Sequence, residues 1–452
     1  MTMQKVENII IGFGKAGKTL AGYLGKQGQK TVLIEKTPNM YGGTCINVGC
    51  IPSKALSVKA NRKKYSEKEQ AEYYAQSVKE KKNLIALLNK ANYDKLAGVP
   101  NIEIVDGMAS FLDEHRVLVE HEGGTTEYQA EKIFINTGSK SFIPRIEGLS
   151  ISERILTSDE IMNLETLPKK LTIIGGGFIG LEFAKTYAEY GSKVTILDSS
   201  EKFLAKEDDD IAEAVFKSME NLGVHIILNA KVQKVSEEGE DTSIYYEIDG
   251  ETLEIRQDYI LVATGRRPNV ADLKPENAGV KLGERGNIEV NEFLQTNKEH
   301  IFAMGDVNGG PQFTYISLDD FRIVRNFLQG ESSYSTKSRA FIHSSVFLNP
   351  TLSKVGLGEK EALKEGYDIQ VFKLPVAMIP KAKILGNQIG LYKAVVDKKT
   401  NKILGATLFA EESHEVINII ATAMAMDANY TVLKNQIFTH PTMAEALNDL
   451  FQ

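Results

Sequence analysis

The stretch "VENIIIGFGKAGKTLAGYLGKQGQKTVLIEK", residues 6–36, combines an apolar strand, a glycine-rich turn, a helix and a second apolar strand. The turn carries Gly12, Gly14 and Gly17 in the spacing G-x-G-x-x-G, and Glu35 closes the second strand. Such glycines permit a tight turn and let a pyrophosphate approach the helix N-terminus, while a carboxylate at the strand end can accept hydrogen bonds from a ribose. The stretch therefore predicts a βαβ unit that binds a dinucleotide.

The same pattern occurs a second time in "KKLTIIGGGFIGLEFAKTYAEYGSKVTILDSS", residues 169–200. Here the glycines are Gly175, Gly177 and Gly180, and the closing acid is Asp198. One glycine pattern alone would be weak evidence, because glycine-rich turns also occur in unrelated α/β folds. Two complete copies predict an α/β fold with two Rossmann-like dinucleotide-binding domains.

The composition indicates an ordinary globular enzyme. The chain has 452 residues, of which 42% are hydrophobic and 25% charged, and this length usually corresponds to about two to four domains. A net charge of −7 argues against nucleic acid or an anionic membrane as partner, because these bind basic surfaces. Apolar runs have the length of strands, and the N-terminus "MTMQKVENIII" lacks the features of a signal peptide. We therefore expect a cytoplasmic protein with no membrane span.

Both cysteines of the chain, Cys45 and Cys50, lie in "GGTCINVGCIPSK", residues 42–54. In a regular α-helix, residues five apart are too distant for a disulfide, which needs a Cα separation of about 4.4 to 6.8 Å. A bond would therefore require a bend, which Asn47 and Gly49 make easy. Two buried apolar residues or half of a metal site are the alternatives, but zinc would need further ligands and no other Cys or His lies in the neighbouring turns.

The residues after Cys50 indicate that its thiol is reactive. Pro52 fits the first turn of a helix that continues through "SKALSVKA". A helix N-terminus and the positive charge of Lys54 would both stabilise a thiolate at Cys50 and lower its pKa. In a cytosolic protein a disulfide is more often catalytic than structural, so the loop predicts a redox dithiol.

The order of these motifs, followed by "INTG" (135–138), "ATGRRPN" (263–269), "AMGDV" (303–307) and "THPTMAEAL" (439–447), resembles the class I flavoprotein disulfide reductases. This is the family of dihydrolipoamide dehydrogenase, glutathione reductase and mercuric reductase, and the resemblance covers essentially the whole chain. It implies a homodimer in which C-terminal residues of one copy complete the active site of the other. The expected parts are an FAD-binding domain (1–148 and 266–335), a NAD(P)-binding domain (149–265) and a C-terminal α+β dimerisation domain (336–452).

The resemblance also implies roles for single residues. Cys50 is expected to lie against the flavin and Cys45 to attack the electron acceptor, so that hydride passes from the nicotinamide to the flavin and then to the disulfide. Lys54 and Glu182 match the family's ion pair beside the reactive nitrogen of the flavin. The alternatives are that Lys54 is a solvated helix charge and that Glu182 pairs with a helix dipole.

His440 and Glu445 match the family's acid–base pair, in which a carboxylate orients an imidazole for proton transfer to the outgoing thiol. The alternative is that His440 is an ordinary surface histidine. Asp306 matches the acid that holds the ribityl chain of the flavin.

The cofactor contacts implied by the resemblance extend over all of these motifs. For FAD they are Gly12, Gly14, Ala16, Gly17, Glu35, Lys36, Gly43, Thr44, Lys54, Ala109, Thr137, Gly138, Asp306 and Thr314. For NAD they are Gly175, Gly177, Ile179, Gly180, Glu182, Asp198 and Gly265. No structural metal site is expected.

Departures from the family narrow the choice of acceptor. Mercuric reductases usually carry further cysteines in a C-terminal tail, and this chain has none. Glutathione reductases usually place arginines where this chain has Asp198, Ser199 and Ser200, so NADH is the expected donor, with NADPH as the alternative. The segments "GGPQFTYISLDDFRIV" (309–324), "MYGGTCINVGC" and "GFGKAGKTLA" resemble the bacterial reactive-chlorine-resistance flavoproteins, which are associated with copper(II) reduction.

The expected function is therefore electron transfer from NAD(P)H through FAD and the Cys45–Cys50 disulfide to copper(II) or a species linked to oxidant stress. Copper would contact the two cysteines only transiently. The alternatives are a dihydrolipoamide dehydrogenase or other reductase of small disulfides, a metal reductase of the mercuric reductase type, and a flavin-binding scaffold or redox sensor without catalysis. The complete set of cysteine, lysine, glutamate and histidine residues argues against the last of these.

Overall fold

The computed structural model of the chain describes residues 3–60, 66–239, 241–339 and 341–452. The chain up to Ser141 contains β1 (Met3–Ile11), α1 (Lys15–Lys26), β2 (Thr31–Glu35), α2 (Thr44–Asn47), α3 (Cys50–Ala60), α4 (Glu67–Ala97), β3 (Ile102–Asp106), β4 (Met108–Phe111), β5 (Arg116–His121), β6 (Gly124–Ile135) and β7 (Ser139–Ser141). The following stretch, up to Val262, contains β8 (Ile155–Leu156), α5 (Ser158–Ile161), β9 (Lys170–Ile174), α6 (Phe178–Tyr190), β10 (Lys193–Leu197), α7 (Asp209–Asn221), β11 (His225–Ile227), β12 (Lys231–Glu238), β13 (Asp241–Ile248), β14 (Glu251–Gln257) and β15 (Tyr259–Val262). The next stretch, up to Leu328, contains β16 (Arg266–Pro268), β17 (Ile301–Ala303) and α8 (Thr314–Leu328). The C-terminal stretch contains β18 (His343–Val346), β19 (Thr351–Gly356), α9 (Glu359–Lys364), β20 (Ile369–Pro375), α10 (Pro380–Leu385), β21 (Leu391–Asp397), β22 (Ile403–Ala410), α11 (Ser413–Ala425), α12 (Tyr430–Asn435) and α13 (Ala446–Leu450).

The first fingerprint forms the centre of a seven-stranded sheet in the order β3-β2-β1-β6-β5-β4, with β17 also paired to β6. Strands β1, β2, β3, β6 and β17 run parallel, whereas β4 and β5 are antiparallel to their neighbours. All five residues of β2 and the last four of β1 are buried. This burial on both faces explains why these strands read as continuous apolar runs.

The second fingerprint forms a separate sheet of five parallel strands in the order β11-β10-β9-β15-β8. Helix α6 connects β9 to β10, as α1 connects β1 to β2. The chain leaves the first sheet after β6 and returns to it at β17, passing twice through a two-stranded ribbon of β7 and β16. The second sheet and the antiparallel group β12-β13-β14 are therefore inserted within the first domain.

The C-terminal part is an α+β unit. Its antiparallel sheet has the order β18-β19-β22-β21-β20, and a core that includes Tyr392, Leu408, Ile417 and Leu447 joins the sheet to α11 and α13. The expected α/β fold, with two Rossmann-like domains and a C-terminal α+β domain, is confirmed. Among the described helices, none is both long and apolar enough to cross a membrane.

Candidate active site

A cavity of about 1700 Å³ lies where the two fingerprints meet the cysteine loop. Most of the residues expected from the sequence line it, and they come from segments far apart in the chain. They are Gly12, Gly14, Glu35, Lys36, Gly43, Thr44, Cys45, Cys50, Lys54, Ala109, Thr137, Gly138, Gly175, Gly177, Ile179, Glu182, Asp198, Gly265, Asp306 and Thr314. The cavity therefore connects both dinucleotide fingerprints to the dithiol.

Three of the expected cofactor residues, Ala16, Gly17 and Gly180, are not among the residues that line the cavity. A Cβ on Gly17 would come within 2.3 Å of Gly12 O, and a Cβ on Gly180 within 2.1 Å of Gly175 O. The third glycine of each fingerprint thus lets the helix pack closely against the turn.

Two observations on the cavity wall fit a large bound cofactor. The hydroxyl oxygen of Thr137 is buried and has no hydrogen-bond partner among the described residues. A Cβ added to Gly138, Gly177 or Gly265 would meet no described atom within 4 Å, so side chains there would extend into the cavity. The wall thus offers an unpaired polar atom and stretches of bare backbone to a ligand.

Each of the two acids that end the fingerprints lies against its own turn. Glu35 accepts hydrogen bonds from Phe13 N and Lys36 N, both at 2.8 Å, and burial raises its pKa although these bonds lower it. Asp198 accepts from Ser200 N at 3.0 Å. A Cβ on Gly176 would lie 2.3 Å from Asp198 Oδ2, so the acid closely contacts the second turn.

The cysteine loop consists of two short helices with a break between them. Helix α2 ends at Asn47 and α3 begins at Cys50, which gives the bend that the spacing requires. Gly43, at φ +76°, begins the loop, and a Cβ there would come within 2.7 Å of Gly14 Cα. The loop is thus held directly against the first fingerprint turn.

Both cysteines are free thiols in the structure. Cys50 faces the cavity, and its sulfur lies 3.7 Å from Thr314 Oγ1. The hydrogen bond from Cys45 lowers the pKa of Cys50 to about 6 against the effect of burial, with contributions from Thr314 and the charge of Lys54. The same hydrogen bond, together with burial, raises the pKa of Cys45. At neutral pH the reduced pair therefore carries a thiolate on Cys50, which is lost as the pH falls below about 6.

Lys54 and Glu182, from α3 and α6, form an ion pair at 2.5 Å. Glu182 Oε1 also accepts a hydrogen bond from Phe347 N at 2.9 Å. The Phe347 ring centroid lies 4.8 Å from Lys54 Nζ, a distance suited to a cation–π interaction. The C-terminal part of the chain thus holds both members of this pair.

His440 and Glu445 form a hydrogen-bonded pair at 2.8 Å. Burial raises the pKa of Glu445, but the hydrogen bonds from His440 and Thr442 N outweigh it and keep this pKa below its usual range. The His440 side chain is 71% exposed, and neither residue lines the cavity of its own chain. Within one chain the structure does not bring His440 to Cys45.

Asn136 and Phe347 take part in the site but were not singled out from the sequence. Asn136 Oδ1 accepts from Gly17 N at 2.9 Å, and its amide donates to Met304 O at 2.6 Å, so it joins the first helix to the "AMGDV" turn. Asn136 belongs to the quoted motif "INTG", which was a usable signal. No motif marks Phe347.

Lys18 is a further residue that sequence reasoning missed. Its ammonium group donates to Asn92 Oδ1 and, at 3.4 Å, to Gly42 O. Burial, followed by the charge of Lys15, lowers the pKa of Lys18 to about 8. The charge of Lys18 in turn favours the thiolate form of Cys45. Among the described residues, no group of three or more His, Cys, Asp or Glu side chains is placed to hold a metal ion.

Comparison with known proteins identifies the family to which the two fingerprints, the dithiol loop and the C-terminal domain belong. The family described as "Pyridine nucleotide-disulphide oxidoreductase" matches residues 6–320, and its dimerisation domain matches residues 342–451. The probable pyridine nucleotide-disulfide oxidoreductase RclA of Escherichia coli (strain K12) is 46% identical over 449 residues, 99% of each chain. A mercuric reductase of Staphylococcus aureus is 32% identical over 97% of this chain and 80% of its own length. A dihydrolipoyl dehydrogenase of Geobacillus stearothermophilus is 32% identical over 98% of this chain and 94% of its own.

Among solved structures, the Cu(II) complex of the HOCl-induced flavoprotein disulfide reductase RclA from Escherichia coli matches with a TM-score of 0.94 and 45% identity, over 99% of both chains. The sequence comparison and the structure comparison with RclA thus both extend over 99% of this chain. The protein belongs to the pyridine nucleotide-disulphide oxidoreductase family: it is an oxidoreductase of the flavoprotein disulfide reductase type that uses FAD and NAD(P)H and carries the family's dimerisation domain.

Proposed function

We propose that this protein oxidises NADH and passes the electrons through FAD and the Cys45–Cys50 pair to copper(II). The observation that carries the proposal is the single cavity that joins both fingerprints to the two thiols. Bound FAD supplies the redox chemistry that links a two-electron donor to the cysteine pair. The proposed FAD ligands are the FAD contacts named from the sequence that also line the cavity. Among them, Thr137 offers a hydroxyl that has no other hydrogen-bond partner among the described residues.

The side chains around the dithiol support this role. Lys54 provides positive charge beside the cavity, where it pairs with Glu182 and lies 4.8 Å from the centroid of the Phe347 ring. It stabilises the thiolate of Cys50. Cys45 is the thiol proposed to meet the acceptor. Its hydrogen bond to Cys50 and its burial raise its pKa, and the charge of Lys18 opposes this effect only in part.

Copper(II) is the proposed acceptor on two grounds. Copper(I), the product, prefers soft thiolate ligands, and the cysteine pair offers them. The RclA structure that this chain resembles at 45% identity is a Cu(II) complex. One NADH supplies two electrons, so it would reduce two copper(II) ions to copper(I) and release NAD⁺ and one proton.

A small disulfide is the second candidate acceptor, and the observation that favours it is the His440–Glu445 hydrogen bond of 2.8 Å. An imidazole held by a carboxylate can protonate a leaving thiolate. Reduction of a metal ion by electron transfer needs no such proton donor, so this pair distinguishes the two kinds of acceptor.

The acceptor is tested by steady-state NADH oxidation with copper(II), glutathione disulfide, lipoamide, mercury(II) and oxygen, each at the same concentration. We expect copper(II) to stimulate the rate most, with copper(I) appearing at two ions per NADH when trapped by a copper(I)-specific chelator. Assays without protein measure direct reduction of copper(II) by NADH. Faster turnover with a disulfide than with copper(II) would assign the protein to the second candidate function.

We also propose that the active form is a cytoplasmic homodimer in which His440 of one copy reaches Cys45 of the other. The exposure of His440 and its absence from the cavity of its own chain support this arrangement. Ile437, in the same segment, is 91% exposed, as expected for an apolar residue covered by a second copy. The proposed domains remain 1–148 with 266–335, 149–265 and 336–452, which is consistent with the separate sheets.

NADH is the proposed donor, because Asp198 can accept from both ribose hydroxyls of NADH but repels the 2′-phosphate of NADPH. Lys202 and Lys206 also line this part of the cavity and reduce the repulsion. We therefore expect kcat/KM to be about 5- to 150-fold higher for NADH, which corresponds to about 1 to 3 kcal/mol.

Replacing Asp198 by serine together with Ser199 by arginine is expected to narrow or reverse this preference, since a guanidinium binds a phosphate through two hydrogen bonds. The measurement is kcat/KM with each nucleotide for the native and the double-substituted protein. If the native protein prefers NADPH, Asp198 does not contact the ribose.

A further inference from the structure

Residues 199–207, here called the nucleotide loop, connect β10 to α7 along one side of the cavity. Most of the loop lines the cavity beside Asp198: Ser199, Ser200, Lys202, Leu204, Ala205, Lys206 and Glu207. Its first end continues from a strand of the second sheet. Its second end is followed directly by Asp208, whose carboxylate contacts Glu359, Lys360 and Lys393 of the C-terminal domain.

Asp208 occupies the N-cap position of α7, yet its carboxylate makes no capping bond to that helix in the described structure. An aspartate at this position usually bonds to the first amides of its own helix. Here it accepts instead from Glu359 N at 3.0 Å and Lys360 N at 3.1 Å, at the start of α9. The end of the nucleotide loop is thus bound to another domain.

Lys393, in β21 of the C-terminal domain, lies next to Asp208, and only 2% of its side chain is exposed. Its ammonium group contacts three carboxylates, at 2.9 Å from Asp208, 2.9 Å from Asp210 and 2.7 Å from Glu359. Burial lowers the pKa of Lys393, but these contacts raise it to about 12. A buried cation therefore holds together acids from both domains, and we call these three acids the carboxylate cluster.

Two lysines of the C-terminal domain also contact Glu207, the last residue of the nucleotide loop. Lys360 Nζ donates to Glu207 O, the last carbonyl of the nucleotide loop, at 3.1 Å. Lys354 lies 3.5 Å from the Glu207 carboxylate. Without Lys393, Asp208 and Glu359 would lose this ion-pair partner, and Asp210 would keep Lys373, which lies 2.6 Å from it. Repulsion among the three carboxylates would then increase. The end of the nucleotide loop would then move away from the C-terminal domain.

We propose that Lys393, although it belongs to the C-terminal domain, is a positioning residue for the nicotinamide dinucleotide, acting through Asp208 on the nucleotide loop. The inference rests on the proposed function, in which the cavity beside Asp198 holds the adenosine half of NADH. It assigns to the C-terminal domain a part in nucleotide affinity that is separate from the cysteines and from His440.

The test is Lys393→Met, which keeps the length of the side chain and removes its charge. We expect KM for NADH and the Kd for NAD⁺, measured by isothermal titration calorimetry, both to rise about 10-fold. We expect kcat to stay within about 2-fold, because the substitution leaves the dithiol and the Lys54–Glu182 pair unchanged. The matched control is Lys398→Met, which removes an exposed lysine paired with Asp368 at 2.8 Å in the same domain and should change none of these values.

A second variant, Asp208→Asn, removes one charge from the carboxylate cluster and one of the two oxygens that accept from the amides of α9. Alone it should raise Kd about 3-fold, and in the Lys393→Met protein it should lower Kd again, because it relieves repulsion. A lysine that only stabilised the fold would shift the melting temperature without this reversal. Unchanged Kd for NAD⁺ in Lys393→Met protein that still binds FAD and dimerises would overturn the proposal.

If Lys393→Met does not fold, an unchanged Kd in Asp208→Asn overturns the proposal equally. The Asp198 double variant separates this inference from the proposed function. If that variant alters nucleotide preference while Lys393→Met has no effect, only the role of Lys393 is wrong. If neither affects nucleotide binding, the proposed nucleotide site is itself wrong.

Discussion

Cys45→Ser is expected to lower copper(II)-stimulated NADH oxidation at least about 100-fold while NADH still bleaches the visible absorbance of the flavin. A serine hydroxyl is not ionised at neutral pH and is a poor ligand for copper(I). The electrons would therefore enter the protein normally but lack their exit. The substitution is nearly isosteric, and the half-buried position of Cys45 makes loss of the fold unexpected.

The measurement pairs two assays on one preparation of Cys45→Ser protein with its FAD content determined. Stopped-flow mixing with NADH in the absence of acceptor follows entry of electrons, and steady-state turnover with copper(II) follows their exit. Cys50→Ser is the comparison variant, because it removes the thiol whose pKa is lowered to about 6 and keeps Cys45. Copper(II) turnover unaffected by Cys45→Ser would place the exit at the flavin.

Mixing Cys45→Ser protein with His440→Ala protein is expected to restore activity that neither has alone. Each variant by itself should lose at least about 100-fold in turnover with a disulfide acceptor, since one lacks the nucleophile and the other the proton donor. In a hybrid dimer of two-fold symmetry, one site combines both substitutions and the other site has neither. With free exchange, half of the dimers are hybrids, so about a quarter of the native activity should return.

The control is a mixture of Cys45→Ser with Cys50→Ser proteins. Both substitutions lie in the same half of the site, so every hybrid site lacks one thiol and no activity should return. Subunit exchange is verified by mass spectrometry of differently tagged copies. A mixture of Cys45→Ser and His440→Ala that exchanges fully yet stays inactive would show that each site is built within one chain.

The local parts of the active site could be predicted from sequence. Each fingerprint lies within about 30 contiguous residues, and its strand, turn and helix are determined by the order of apolar residues and glycines. The bend between Cys45 and Cys50 followed from their spacing and from Gly49. The position of Glu35 and Asp198 at the strand ends could be read from the sequence, but their contacts with the glycine-rich turns could not.

The third glycines were only partly understood from sequence. Gly17 and Gly180 were expected to contact the cofactors, and the structure adds that they let a helix pack on a turn. A glycine pattern shows that no side chain is tolerated at a position, without showing whether a ligand or the protein's own backbone occupies the space.

The sequence by itself thus determined two βαβ units, each with an acid after its second strand, and a bent dithiol loop, because each of these depends on neighbours close in the chain. Only the tertiary structure decided the long-range contacts. Phe347 N lies 165 residues from the Glu182 carboxylate to which it donates, and Lys393 lies 185 residues from Asp208, with which it forms an ion pair at 2.9 Å. No local sequence pattern encodes such pairs, because the packing of whole domains decides which side chains meet. The desolvation cost of a buried charge is offset only where that packing brings an opposite charge within hydrogen-bond distance.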